Sequence, residues 1–379
     1  MRLLLFIFVA FLTKGLAIDA PLLKMKDNIP GQYIVKIKND FEVDDVILSL
    51  KNSLLEFLGG RIGSRFHALN GFSATLSERA LALVRRSRQV AYVEEDALVR
   101  IDEVGSWGID RIDSPDLPMD DEYLPQFDGT GVNIYIIDTG VNPTHNDVIG
   151  RAEVFYDAEP IRSNDGIDCH GHGSHCSGTA GGTVYGVAKN ANIFGVRVVN
   201  CIGFGSTATI IEGMDMVALY ASKPAVASMS LGLAVSQATN DAIDSMFYNG
   251  VVVSVSAGND NSDACGQSPA SAQNALTVGA SDRNDIRASF SNYGPCVDIF
   301  APGVAITSIW MGDPDSTNTI SGTSMSCPHV AGAAALVLGE NPEFSPAEVT
   351  AALLNTAAND KVADIKDTPY NKLLQVKSL

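Results

Sequence analysis

The chain has 379 residues, with 44 Asp and Glu against 26 Lys and Arg, a formal net charge of −18. An acidic excess of this size argues against nucleic acid as a partner, because neutralising phosphates calls for clustered Lys and Arg. The six cysteines all lie between positions 169 and 327, and half-cystines gathered behind a leader segment point to an oxidising compartment.

The amino terminus reads as a secretory signal over residues 1–17. Arg2 is the basic flank, Leu3 to Leu12 the apolar stretch, and Gly15-Leu16-Ala17 a small-residue cleavage site. The apolar stretch is too short to span a bilayer, so a secreted or lumenal protein with no membrane partner is expected. The following segment, 18–102, has its own pattern. Residues 32–37 alternate like a strand, and 44–58 carry apolar residues at helical spacing. Residues 66–76 read as two strands joined at the turn dipeptide Asn70-Gly71. A helix is expected over 78–88 and a strand over 90–94. The order β-α-β-β-α-β is the ferredoxin-like split motif.

From Trp107 onward, strand-like runs recur at 133–137, 193–199, 225–231, 251–255 and 275–278, with helical patterns between them, as at 208–222. Alternation of this kind predicts an α/β domain, a parallel sheet with helices on both faces. Ser345-Pro346-Ala347-Glu348 is a capping box with proline at the first helical position.

Four stretches carry chemistry. The run 131–137 ends in Asp138-Thr139-Gly140, placing an acid where open parallel sheets gather functional residues, at a strand's carboxyl end. His170-Gly171-His172-Gly173-Ser174-His175-Cys176 is a histidine-rich turn that leads into small residues. The apolar run 251–255 ends in Ser256-Ala257-Gly258-Asn259. Finally, Ser321-Gly322-Thr323-Ser324-Met325 precedes an apolar helical pattern. This presents Ser324 at a helix N-terminus, where free N–H groups favour developing negative charge. A serine in a small-residue turn means little alone, but a base and an orienting acid elsewhere give it a nucleophile's setting.

These motifs resemble the subtilisin-like serine proteases, in particular their proteinase K and aqualysin-like branch, with Ser174 where the usual His-Gly-Thr-His motif has Thr. The order Asp, His, Ser along the chain is that family's order. The resemblance implies Asp138, His172 and Ser324 as the triad, and Asn259 as a side-chain donor to the oxyanion beside the backbone N–H of Ser324. The Asn70–Ala74 and Val93–Asp96 stretches resemble the family's inhibitory propeptides. This implies a zymogen that cuts itself between about 98 and 105, inhibited by its own propeptide and followed by a catalytic domain over 103–379. Such an enzyme acts on protein and peptide substrates, and a monomer is expected.

The resemblance also implies finer features. Peptide would bind as an added strand between Gly203-Phe204-Gly205 and Ser230-Leu231-Gly232, with Gly232 and Ser256-Ala257-Gly258 lining the pocket for the residue before the cut. No acid is evident among these residues, which implies broad specificity with an apolar preference. Arithmetic leaves the disulfide connectivity open. The resemblance pairs Cys169 with Cys201 and Cys265 with Cys296, leaving Cys176 and Cys327 as free thiols in preference to a bridge between them. No cofactor is expected for catalysis. Structural calcium is expected, held by Asp298 with the backbone carbonyls of Gln273 and Ala275, and by Asp110, Asp113 and Asp120, with Glu122 nearby; oxygen-only ligation suits that ion. Two rival readings stay open. One is a catalytically silent relative that acts as a binding protein. The other is a zinc site built from Cys169, His170, His172, His175 and Cys176, for which the packed spacing is poor.

Overall fold

The computed structural model describes residues 19–25, 28–100, 107–159 and 165–377, and the side chains of 98–100 are not included. The expected signal at 1–17 lies outside the described residues, as does most of the expected cleavage region.

Two sheets organise the molecule. The first belongs to the amino-terminal segment. Its long strands Asn28–Ile37, Gly60–Phe66, Gly71–Leu76 and Val90–Arg100 alternate with the helices Val43–Asn52 and Glu78–Arg85, as the β-α-β-β-α-β pattern predicts. Val90–Arg100 and Gly71–Leu76 flank Asn28–Ile37, with Gly60–Phe66 at the edge. Val35, Ile37, Val46, Leu50, Phe72 and Val93 form a core of this segment's own. The helix expected over 44–58 stops at Asn52, because Leu54 takes a left-handed conformation (φ 68°). The periodic residues beyond it, Leu54 and Phe57, are exposed.

The second sheet has nine strands among the described residues. Its centre runs Ile299–Pro302, Leu276–Ser281, Val251–Ser256, Ala225–Met229, Asn133–Asp138, Asn192–Arg197 and Ala152–Asp157, all paired in parallel. The central strands are buried on both faces, which is why they read as continuous apolar runs. The helices His172–Gly181 and Thr323–Glu340 share a core with one face of the sheet. Thr207–Tyr220 and Gln237–Tyr248 cover the other. Strand order reverses beside Asn133–Asp138, where later strands build outward on either side. Crevices at the carboxyl ends of strands open at such a point. The partly exposed strand Ala152–Asp157 was not anticipated. Past the last helix, Lys372–Leu373 pairs with Ile299–Pro302, and Val376 N donates to Ile112 O, binding the carboxyl-terminal segment to the body.

Candidate active site

Asp138 ends its strand fully buried, and one carboxylate oxygen accepts the N–H of Thr139 at 2.7 Å. His172 opens the helix His172–Gly181, and its Nδ1 lies 2.9 Å from both Asp138 oxygens. Glycines permit this approach. A Cβ on Gly173 would sit 2.1 Å from the Gly140 carbonyl oxygen and 3.2 Å from Asp138 Cβ; one on Gly171 (φ 108°) would enter the Trp310 ring. The helix start can therefore press onto the Asp138–Gly140 turn. Burial is the largest influence on His172 and opposes its charged form, but the Asp138 carboxylate and the Cys176 sulfur beside the ring together outweigh it and hold the imidazole pKa well above its ordinary value. His172 Nε2 is buried and makes no hydrogen bond among the described residues.

Ser324 is the second residue of the helix Thr323–Glu340. Its Oγ donates to Ser230 O at 3.4 Å, and Ser230 Oγ donates to Ser324 O at 2.7 Å. The Cys176 thiol lies 3.5 Å from Ser324 O and 3.9 Å from His172 Nδ1, so one buried group packs against both residues. The Ser324 hydroxyl is thus turned to Ser230 and not to His172 Nε2. In sites without substrate such bonds are commonly long and tighten only when substrate binds.

Asn259 follows the strand Val251–Ser256. Its Oδ1 accepts Thr323 N at 2.9 Å and Thr323 Oγ1 at 3.1 Å, fixing which end of the amide is oxygen. Its Nδ2, the donor end, has no protein partner among the described residues.

The groove edges diverge in what they contact. Backbone of Leu98, Val99 and Arg100 pairs antiparallel with Ser206, Gly205 and Phe204, so the amino-terminal segment ends as an added strand on the Gly203–Gly205 edge. On the opposite edge Ser230 and Leu231 are buried, and Leu231 O accepts from Ser256 Oγ at 3.4 Å. The Gln267 side-chain oxygen lies 2.2 Å from where a Cβ on Gly258 would be and 3.4 Å from one on Gly232. The Gln267 amide donates to the Asp260 carboxylate. The Gln267 oxygen, its amide held by Asp260, therefore stands against both of these glycines. Sequence reading missed it, because nothing in the spacing of Gln267 connects it with Gly232.

Two acids on the strand Val90–Arg100 were also missed, although they lie in the Val93–Asp96 stretch. Glu94 accepts from Ser236 Oγ and, at 3.0 Å, from Ala238 N, at the start of the helix Gln237–Tyr248. Asp96 accepts from Ala208 N at 3.0 Å, at the start of Thr207–Tyr220. Each places a carboxyl group at a helix N-terminus, where free N–H groups need acceptors. Burial raises Glu94 to about 7 and Asp96 to about 6.

Cys169 is bonded to Cys201 and Cys265 to Cys296, while Cys176 and Cys327 are buried free thiols. The Cys327 thiol packs 3.3 Å from Ser254 O, between its helix and the sheet. The zinc reading loses ligands, since Cys169 is in a disulfide and His175 Nε2 is 3.0 Å from Ile306 O. Asp110, Asp113 and Asp120 bring one oxygen each within 4.8 Å of one another. Asp113 Oδ1 is buried with no hydrogen-bond partner among the described residues, which fits an oxygen available to a cation. Asp298 accepts Thr277 N at 2.8 Å, two residues along the chain from Ala275, and burial raises it to about 6.

Comparison with known proteins agrees with this geometry. Residues 129–373 match the subtilase family, and residues 32–102 match the peptidase inhibitor I9 family. The chain is 42% identical over 379 residues to the extracellular serine proteinase of Thermus sp. (strain Rt41A), covering 94% of this chain and 92% of that protein. It is 47% identical over 317 residues to alkaline serine exoprotease A of Vibrio alginolyticus, covering 81% of this chain and 59% of that protein's length. The crystal structure of a cold adapted subtilisin-like serine proteinase superposes with a TM-score of 0.69 at 50% identity, over 71% of this chain and 97% of that one. No helix among the described residues is long and apolar enough to cross a membrane. With its catalytic-type sheet and its I9-type amino-terminal unit both matched, the chain belongs to the subtilase family of serine proteases.

Proposed function

We propose that the chain is a secreted serine endopeptidase made as a self-cleaving zymogen, with residues 18–102 as propeptide and 103–379 as the catalytic domain. The reading rests on two observations together: the strand Leu98–Arg100 pairs along the Phe204–Ser206 edge, and Asp138, His172 and Ser324 gather around the Cys176 thiol. A peptide held there presents a carbonyl to the helix N-terminus that bears Ser324.

Ser324 Oγ attacks that carbonyl while His172 Nε2 takes its proton. His172 then returns the proton to the leaving amine, and water repeats the sequence on the acyl-enzyme. Asp138 holds Nδ1 and stabilises the imidazolium. Asn259 Nδ2 and the Ser324 N–H take the oxyanion; Thr323, by anchoring Asn259 Oδ1, aims the amide. The pocket of Gly232 and Ser256–Gly258 accepts a broad range of side chains, preferring apolar ones. Calcium would be structural, held by Asp110, Asp113 and Asp120, and by Asp298 with the carbonyls of Gln273 and Ala275. The catalytic steps need no metal. A relative described as extracellular supports secretion, and a monomer suffices because one chain supplies every group.

The test is expression of the full chain and of Ser324→Ala, followed by a fluorophosphonate probe. The natural chain should shorten to the mature form and take the label, while the variant should stay full length and unlabelled. Labelling of the variant at the natural rate overturns the assignment. A natural chain that neither shortens nor labels favours the silent binding protein.

A further inference from the structure

Asp168 lies outside every motif read from the sequence, yet its side chain is the most heavily bonded polar group beside the candidate triad. It is 5% exposed. Its Oδ1 accepts from Thr139 Oγ1 at 2.9 Å, His170 N at 2.9 Å and Gly171 N at 2.8 Å. Its Oδ2 accepts from Ser174 N at 2.8 Å and Ser174 Oγ at 2.6 Å. Five donors therefore converge on one carboxylate, and a carboxylate is the one side chain that offers only acceptors at both oxygens.

These donors belong to two different structures. Three backbone N–H groups and the Ser174 hydroxyl come from the turn and first helical residues on either side of His172. Thr139 is the residue after Asp138. Its Oγ1 also accepts the N–H of Gly173 at 2.9 Å, so the hydroxyl joins the Asp138 strand to the His172 helix a second time. The Asp168 backbone N–H donates in turn to Val141 O at 3.0 Å, on the same chain segment as Thr139. A carboxylate caps the helix whose first residue is the base, and the same carboxylate holds the strand end that bears the acid.

We infer that Asp168, with Thr139 and Ser174, is a positioning unit that sets the distance and angle between Asp138 and His172. This rests on the proposed roles of those two residues. Asp168 touches neither substrate nor the reacting atoms and acts through His172. An amide cannot replace it. Whichever way Asn is turned, its NH2 faces a backbone N–H that the carboxylate now satisfies, Ser174 N on one side or His170 N and Gly171 N on the other, and the turn 170–174 must shift to relieve it; the hydroxyls of Thr139 and Ser174 can turn and accept, the N–H groups cannot. A displacement of about 1 Å at the base costs on the order of a hundredfold in rate.

The experiment compares kcat and KM, per active site titrated with the fluorophosphonate, for the natural enzyme, Asp168→Asn, Thr139→Val and Thr139→Ser. Asp168→Asn should lower kcat about a hundredfold with KM within about threefold, since the groove edges are elsewhere. Thr139→Val, which removes the bridging hydroxyl, should lower kcat in the same way but less. Thr139→Ser, which restores a hydroxyl, should recover part of that loss. Per-site kcat within twofold of the natural value in Asp168→Asn overturns the inference, even if its melting temperature falls, because that pattern is purely structural support. If Asp168→Asn does not fold, equal kcat in Thr139→Val and the natural enzyme overturns it instead. A natural enzyme that takes no label counts against the proposed protease function and not against this unit alone.

Discussion

The propeptide should let go as pH rises, and Glu94 sets most of the size of the effect. In the folded chain Glu94 is fully buried and burial raises it from 4.5 to about 7. A separated propeptide exposes this carboxyl to water, where it titrates near its ordinary value. Between these two values the complex holds a proton that the free propeptide has released. Association is therefore strongest below about pH 4.5, weakens through the interval, and levels off above about pH 7. A tenfold change per pKa unit makes the full range about 300-fold, or about 3 kcal/mol. Between pH 5 and pH 8, Glu94 alone weakens binding about 70-fold, and Asp96, raised to about 6, adds about tenfold. The assay is fluorescence anisotropy of a labelled propeptide, residues 18–100, against the mature domain carrying Ser324→Ala, which cannot digest its ligand. Glu94→Gln, neutral at every pH, should keep only the smaller share. A dissociation constant flat within threefold from pH 5 to pH 8 would refute the reasoning, as would the same slope in Glu94→Gln.

Three further outcomes follow from the site. Asn259→Ala should lower kcat about 10²–10³-fold with little change in KM, since the amide serves the oxyanion and not the ground state; an equal loss in both constants speaks against that role. The acid limb of kcat/KM should lie above pH 6.5, because Asp138 holds His172 above its ordinary pKa and only the neutral imidazole can accept the Ser324 proton. Asp138→Asn should move that limb to lower pH, and a limb that stays in place removes Asp138 from the assignment. A calcium chelator should lower the melting temperature, and Asp113→Ala should shrink that shift by removing the orphaned oxygen. Identical melting curves with and without calcium would dispose of both ion sites.

The sequence by itself determined the elements and the chemistry-bearing positions, because both are local. A strand buried on both faces must be apolar throughout, so the runs ending at Asp138 and Ser256 are visible as runs. A capping box needs only four consecutive residues, and Ser345 with Glu348 forms it as read. Local periodicity misled where it counted exposed residues, as at Leu54 and Phe57, and it was silent for the half-exposed edge strand Ala152–Asp157. Tertiary structure alone decided which polar groups meet. Glu94 reaches a helix start 144 residues away, Ser324 turns its hydroxyl to Ser230, and Gln267 stands against Gly258 and Gly232. Asp168 gathers donors from both sides of the Asp138–His172 pair. Such contacts leave no periodic trace. A buried carboxylate is stabilised by whichever donors the packed chain brings to it, and that set exists only once strands and helices have closed around the site.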